Sequence, residues 1–221
     1  MSEVGVSAAA RMLGVSPVRV RQLIAGGGIA ARQVAGRWLV EVASLPSAPR
    51  RGRPMSPRIA WALVELGEGR RAGWLGSEEA YRLRSRRDAL AADAAPELLL
   101  RSWLAARAQR HQFAAPDPGR LFDDPRLVPS GISDPRSGMS AAGHQVEAYV
   151  RVNDLEDVLA DHLAVPADRS RANAWLHAAA MLPDRPVPVM LVAADLAEHD
   201  GPRELGRARD LIAAALRAEH P

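Results

Sequence analysis

The stretch Ser7-Ala-Ala-Ala-Arg-Met-Leu-Gly-Val-Ser-Pro-Val-Arg-Val-Arg-Gln-Leu-Ile-Ala-Gly-Gly-Gly28 decides how this chain is read. Ser7 can cap a short helix, because its hydroxyl can accept from the orphan N–H groups of a first turn. Ala9, Met12 and Leu13 then fall at i, i+3 and i+4, and Gly14 can close the helix. Ser16 and Pro17 restart it as cap and first helical residue, Val20, Leu23 and Ile24 repeat the spacing, and Gly26 to Gly28 stop it. Two helices joined this tightly, with Val15 as the apolar plug of the turn, make a helix-turn-helix. In that arrangement the second helix lies in the DNA major groove, and Arg19, Arg21 and Gln22 are the residues left off its buried stripe.

Working outward, Ile29 to Val34 and Trp38 to Val42 read as strands joined at Ala35, Gly36 and Arg37, where glycine supplies the positive φ of a hairpin turn. Trp38, Val40 and Val42 alternate onto one face that can cover the helices, so the hairpin reads as a wing. Arg32 and Arg37 flank its tip, where guanidinium groups can hold phosphates. The order of these features, from Val6-Ser-Ala-Ala-Ala-Arg-Met-Leu-Gly-Val-Ser-Pro through Val20-Arg-Gln-Leu-Ile to Val34-Ala-Gly-Arg-Trp-Leu-Val, resembles the excisionase and MerR type of winged helix-turn-helix over residues 6–45. A helical hairpin with a two-stranded lid could also serve protein binding. The charge argues for nucleic acid: 9 arginines stand against 2 glutamates through Arg58.

Residues 46–57 are rich in proline and arginine and lack an apolar period, so they read as a basic linker. Within it, Arg50-Arg51-Gly-Arg53-Pro54 resembles the core of an AT-hook, whose arginines enter a narrow minor groove; a plain basic linker touching phosphates is the other reading. The DNA-contacting set expected from the sequence is therefore Ser16, Pro17, Arg19, Arg21, Gln22, Arg32, Arg37, Arg51 and Arg53.

Beyond the linker, residues 58–112 read as a helical connector. Ser56 and Pro57 start a helix bearing Ile59, Ala62, Leu63 and Leu66; Ser77 and Glu79 start an arginine-rich one; Pro96 starts a third with Leu99, Leu100, Trp103 and Leu104. Residues 113–221 read as an acidic α/β body: strands at Val146 to Val152 and Val187 to Ala194, a strand or buried segment at Ala172 to Ala180, a helix from Asp154 to Leu163 capped by Asn153, and a last helix from Pro202 capped by Asp200. The fold class expected is α+β and mostly helical, with a winged helix-turn-helix head, a helical connector and a small α/β domain. The segments Arg53-Pro-Met-Ser-Pro-Arg-Ile-Ala-Trp-Ala-Leu, Asp124-Pro-Arg-Leu-Val-Pro-Ser-Gly, Val146-Glu-Ala-Tyr-Val, and Val187 to Leu196 followed by Asp200-Gly-Pro-Arg-Glu-Leu-Gly-Arg-Ala-Arg-Asp-Leu look similar to actinobacterial antitoxins of the AbiEi type. That resemblance implies an autorepressor opposing a nucleotidyltransferase toxin encoded beside it.

Composition narrows the chemistry. The 221 residues contain 48% apolar and 25% charged side chains, which fits a folded chain of about two domains. No cysteine is present, which excludes disulfides, thiolate metal sites and cysteine nucleophiles. Residues 1–110 carry 18 arginines and 9 acids, residues 111–221 carry 11 and 17, so a basic half is joined to an acidic one. The longest apolar stretch, Val187 to Ala197, is about half a membrane span, and the amino-terminal apolar stretch is broken by Arg11, so a cytoplasmic protein without membrane contact is expected. No cofactor or metal motif is present among the six histidines, and the chain is not expected to be an enzyme. His144, His177 and Asp195, or Asp195 with Glu198, are the residues a concealed hydrolytic site would use. The function expected is a sequence-specific regulator binding operator repeats in double-stranded DNA, as a dimer or cooperatively, with an antitoxin role and a possible toxin partner. An excisionase-like or MerR-like regulator with a ligand- or partner-binding body is the alternative, and a DNA-targeted enzyme comes third.

Overall fold

In the computed structural model of the protein, residues 3–13, 16–26, 28–34, 36–45, 53–139 and 144–217 are described. The chain divides after Pro49 into two units, Met1–Pro49 and Arg50–Pro221.

The first unit joins strand β1 (Glu3–Gly5), helix α1 (Val6–Leu13), helix α2 (Pro17–Ala25) and strands β2 (Ala31–Val34) and β3 (Arg37–Glu41). The strands form an antiparallel sheet in the order β1-β3-β2, with Val34 opposite Arg37 across the hairpin. Gly36 turns that hairpin at φ +78°, a conformation that strains residues carrying a Cβ. Ala9, Ala10, Leu13, Val20, Ile29, Val40 and Leu45 form the core between helices and sheet. Three expectations change here. Strand β1, too short to show a period, runs straight into α1, so the helix starts at Val6 and Ser7 lies inside it. Its phase then buries Ala10, while Met12 is 49% exposed. Of the three residues expected to cover the helices, Val40 is fully buried, while Trp38, next to the turn and opposite Gln33, stays exposed. Gly14, Val15, Gly27 and Ala35 lie outside the described residues.

The second unit begins before its first helix: the Met55 side chain is buried, and its N–H donates to the Trp103 carbonyl at 2.9 Å. The linker expected to reach residue 57 therefore ends sooner. Helices α3 (Pro57–Gly67), α4 (Ser77–Ala92) and α5 (Pro96–Trp103) follow, then strand β4 (Gln109–Ala114), helix α6 (Pro118–Phe122), strands β5 (Val128–Pro129) and β6 (Val146–Arg151), helix α7 (Leu155–Asp161), strands β7 (Val165–Pro166) and β8 (Ala174–Ala179), and helices α8 (Val189–Leu196) and α9 (Pro202–Arg217). The five strands are ordered β5-β6-β8-β4-β7, with β6 and β8 parallel and the other pairs antiparallel.

Strand periodicity divides this unit into two layers of core. Val146, Ala148, Val150, Ala174, Leu176 and Phe113 face Leu121, Leu127 and Val158 on one side of the sheet. Tyr149, Trp175 and Ala179 face the helical side, where Leu63, Leu100, Leu191 and Ile212 complete the second core. The expected separation of a connector (58–112) from a body (113–221) is thus not seen. Strand β4 runs across that boundary, and helices from both segments share one core.

The segment expected as a strand at Val187 to Ala194 is helix α8, entered from Pro188 at its N-cap. Met190 to Leu196 are all buried, and an apolar run enclosed on every side carries no amphipathic period to distinguish helix from strand. Gly67 of α3 admits this helix closely, since a Cβ there would stand 2.4 Å from Met190 Cγ. The uncertain segment around Ala172 to Ala180 is strand β8, and the last helix is α9. Neither expected polar cap operates. Asn153 sits in a 3-10 turn ahead of α7, and Asp200 turns its carboxylate to Arg101 while the Gly201 carbonyl accepts from the Leu205 N–H at 2.9 Å.

Two Asp-Pro-Arg turns fasten the loops beside β5. Asp124 accepts from the Arg126 N–H at 2.9 Å and from its guanidinium at 3.0 and 2.6 Å. Asp134 repeats the pattern with Arg136 at 2.8, 2.9 and 2.8 Å. In each, the proline fixes one φ and the carboxylate is filled from two residues on, an Asx turn with a charged clasp.

Candidate nucleic-acid interface

Helix α2 is built as a presented surface. The Ser16 Oγ accepts from the Arg19 N–H at 3.3 Å, Pro17 occupies the first turn where no N–H is needed, and the Gly26 N–H closes the far end on the Gln22 carbonyl at 2.9 Å. Val20 is fully buried and Leu23 and Ile24 pack partly against the core, so the stripe read from the sequence is the one that seats the helix. Pro17, Val18, Arg19, Arg21 and Gln22 are all exposed. Arg19 and Gln22 also touch each other, the guanidinium donating to Gln22 Oε1 at 3.2 Å.

The two wing arginines differ. Arg37 stands exposed at the start of β3, beside the turn. Arg32 is exposed too, but both carboxylate oxygens of Glu3 accept from its guanidinium at 2.7 Å. This fork raises the Arg32 pKa and lowers that of Glu3. A phosphate at Arg32 would have to compete with Glu3, a contact the sequence does not show because the three residues of β1 are too few to carry a period. Arg53 is exposed in the segment before α3, and Arg51 lies outside the described residues. Val18, for which the sequence reading gives no role, is 59% exposed on the same helix as Arg21.

Residues 4–45 match the helix-turn-helix domain family. The expected head is therefore present where the capping, spacing and glycine stop placed it. No curated protein and no solved structure matches the chain. Among the described residues no helix is long and apolar enough to cross a membrane.

The second unit gathers Asp195, Glu198 and His177, three of the residues considered for hydrolysis, into a buried network; His144 lies exposed in the turn before β6 and takes no part. Alternation explains the gathering. Apolar residues of β6 and β8 fill one face, so Glu147, Tyr149 and His177 meet on the other, joined there by Arg110 from β4. Glu147 accepts from both His177 and His199 at 2.9 Å and from the Ile132 N–H at 3.0 Å. Asp195 accepts from the Tyr149 hydroxyl at 3.0 Å, from Arg107 Nε at 3.0 Å and from the Ser130 hydroxyl. Glu198 pairs with Arg107 at 2.9 Å and Arg110 at 3.2 Å. Gly131, at φ +50°, makes room for Glu147, whose Oε2 lies 1.7 Å from where a Cβ would stand.

The electrostatics follow from burial and partners. Burial alone would raise the Glu147 pKa, yet the charge of His199 and the hydrogen bonds from His177 and His199 hold it well below the usual carboxylate range. Burial, reinforced by the Asp195 charge, pushes the Tyr149 phenol well up, so it stays a donor. Burial would lower Arg107, but Glu198, Tyr149 and Asp195 raise it well above its ordinary value. Among the described residues no group of three or more histidines and acids has the geometry of a metal site. The arrangement holds three carboxylates against two guanidinium groups and two imidazoles inside an apolar layer.

This sets an acid limit. Asp124 is lowered, by the Arg126 guanidinium above all, then by the Arg126 N–H and His162. Carboxylates whose folded pKa lies below the unfolded value stabilise fully above about pH 4.5, and that contribution is lost as pH falls through the folded pKa. The urea midpoint of the second unit should therefore hold steady from pH 7 to about 5 and fall continuously below about 4. In Asp124→Asn the fall should be shallower; an equal slope in variant and parent would remove Asp124 from the account.

Proposed function

We propose that this protein is a sequence-specific regulator that binds double-stranded DNA through α2. The observation that carries the reading is a helix-turn-helix segment whose second helix exposes Arg19, Arg21 and Gln22 opposite its seated stripe. Arg21 has the reach and fork to pair with guanine, Arg37 is free beside the wing turn to hold phosphate, and Ser16 with Pro17 bring the N-terminus of the helix to the backbone. Arg53 and Arg51 extend the positive stretch toward phosphate or the minor groove. A single head makes few contacts, so two copies on repeated half-sites are the working assembly, acting in the cytoplasm where the operator is.

Replacing Arg19 and Arg21 together by alanine should reduce operator affinity about 100-fold or more while circular dichroism stays unchanged. Undiminished binding in a gel shift would remove α2 from the interface.

The finer reading is an autorepressing antitoxin, with the second unit engaging or opposing a nucleotidyltransferase toxin. Its support is the resemblance of the segments quoted from residues 53–211 to AbiEi-type antitoxins. Deleting the gene beside an intact neighbour should arrest growth and raise the transcript of the pair. Normal growth with a raised transcript would leave the regulator without the antitoxin role, as in an excisionase-like or MerR-like protein whose body binds another partner.

A further inference from the structure

The exposed face of α2 has an apolar centre. At about 100° per residue, Val18 and Gln22 each fall about 160° around the axis from the buried Val20, with Arg19 and Arg21 to either side. Val18 is 59% exposed and belongs to no core cluster of the head, so a β-branched side chain stands free in the middle of a polar surface. Gln22, one turn on, is not a free rotor. Arg19 donates to its Oε1 at 3.2 Å, and because guanidinium only donates, the amide oxygen must face Arg19 while its NH₂ faces outward.

We propose that Val18 and Gln22 together read an A·T-containing step, Val18 packing on a thymine 5-methyl group and Gln22 bonding adenine, with Arg19 as the positioning residue that orients the amide. The inference rests on the reading of α2 as the groove helix. Thymine's methyl is the apolar feature of the major groove, and a glutamine amide matches adenine N7 and N6. The outward NH₂ donates to N7, and the second lone pair of Oε1, not used by Arg19, accepts from N6. Four residues advance about 6 Å along the helix and base pairs repeat every 3.4 Å, so the thymine and adenine lie within about two steps of one another. Arg19, expected from sequence as one of the DNA-contacting residues, is spent on Gln22, and Arg21 remains the guanine reader.

The test starts from duplexes enriched out of a random pool by the full chain. In the enriched site, each thymine is replaced singly by uracil, which deletes the methyl group and leaves the pairing edge intact. One replacement should weaken wild-type binding about fourfold, the worth of one buried methyl, and Val18→Ala should be indifferent to that same replacement. Gln22→Ala should relax the preference for adenine within two steps of that thymine by about tenfold, and Arg19→Ala should relax the same position with little further loss in the double variant. Uracil tolerated throughout by the wild type, or a penalty that persists in Val18→Ala, overturns the Val18 assignment. Relaxation by Arg19→Ala at a separate guanine gives Arg19 its own base and overturns the positioning role. If no duplex is enriched, the DNA-binding reading itself falls, before any question of which base is read.

Discussion

Replacing Arg107 by methionine should lower the stability of the second unit by about 3 to 5 kcal/mol, or about 10 °C in its melting temperature. The guanidinium side chain is 3% exposed and is wedged between Asp195, which is fully buried, and Glu198. Methionine fills most of the volume but leaves two carboxylates in a low-dielectric layer with less countercharge, and the Tyr149 hydroxyl without its second partner. Desolvation that was offset by pairing is then exposed in full. Arg82→Ala provides the contrast. Its pairing with Glu78 lies on the surface of α4, with side chains 67% and 79% exposed, where ion pairs contribute at most a few tenths of a kcal/mol. Calorimetry on the two variants distinguishes these cases; a melting temperature for Arg107→Met within a degree of the parent would show that the network carries no net weight.

Salt should act on DNA binding as strongly as any substitution. Raising monovalent salt from 50 to 200 mM is expected to weaken operator binding about 10³-fold if about six phosphates are contacted. The expectation follows from the excess of arginine through Arg58 and from the exposure of Arg21, Arg37 and Arg53. The fork between Arg32 and Glu3 makes the slope informative: Glu3→Gln frees a guanidinium, so it should steepen the log–log salt dependence by about one charge if Arg32 then reaches phosphate. A flat salt response of the parent would mean that the arginines of the head do not meet a polyanion.

The head was legible because its signals are local. Ser16-Pro17 marks a helix start, Val20, Leu23 and Ile24 mark its buried side, and Gly36 permits the turn, all within a few residues of what they determine. Errors arose where the deciding partner is distant. Ser7 looks like a cap until β1 pairs with β3, and Arg32 looks free until Glu3 arrives on that strand. Strand β4 carries no apolar alternation in the sequence, because Arg110, which enters the network, is followed by His111 and Gln112. The expected boundary at residue 112 therefore falls inside one folded unit, where helices from both sides of it share a core. The repeated Asp-Pro-Arg was readable at 124–126 and 134–136, yet its clasp geometry appears only when both turns are compared. The network joins distant residues, Arg107 and Asp195 lying 88 positions apart along the chain, and single polar residues in apolar strands are its one local trace.

Glu147 accepts from two imidazoles, one at each of its two oxygens. Losing Glu147 would take the shared acceptor from both imidazoles at once, whereas losing either histidine leaves the carboxylate the other. A chimera that grafts α8 and the residues after it onto a relative lacking this carboxylate would import a histidine with no home, and the sensible place to cut such a graft lies outside residues 131–199.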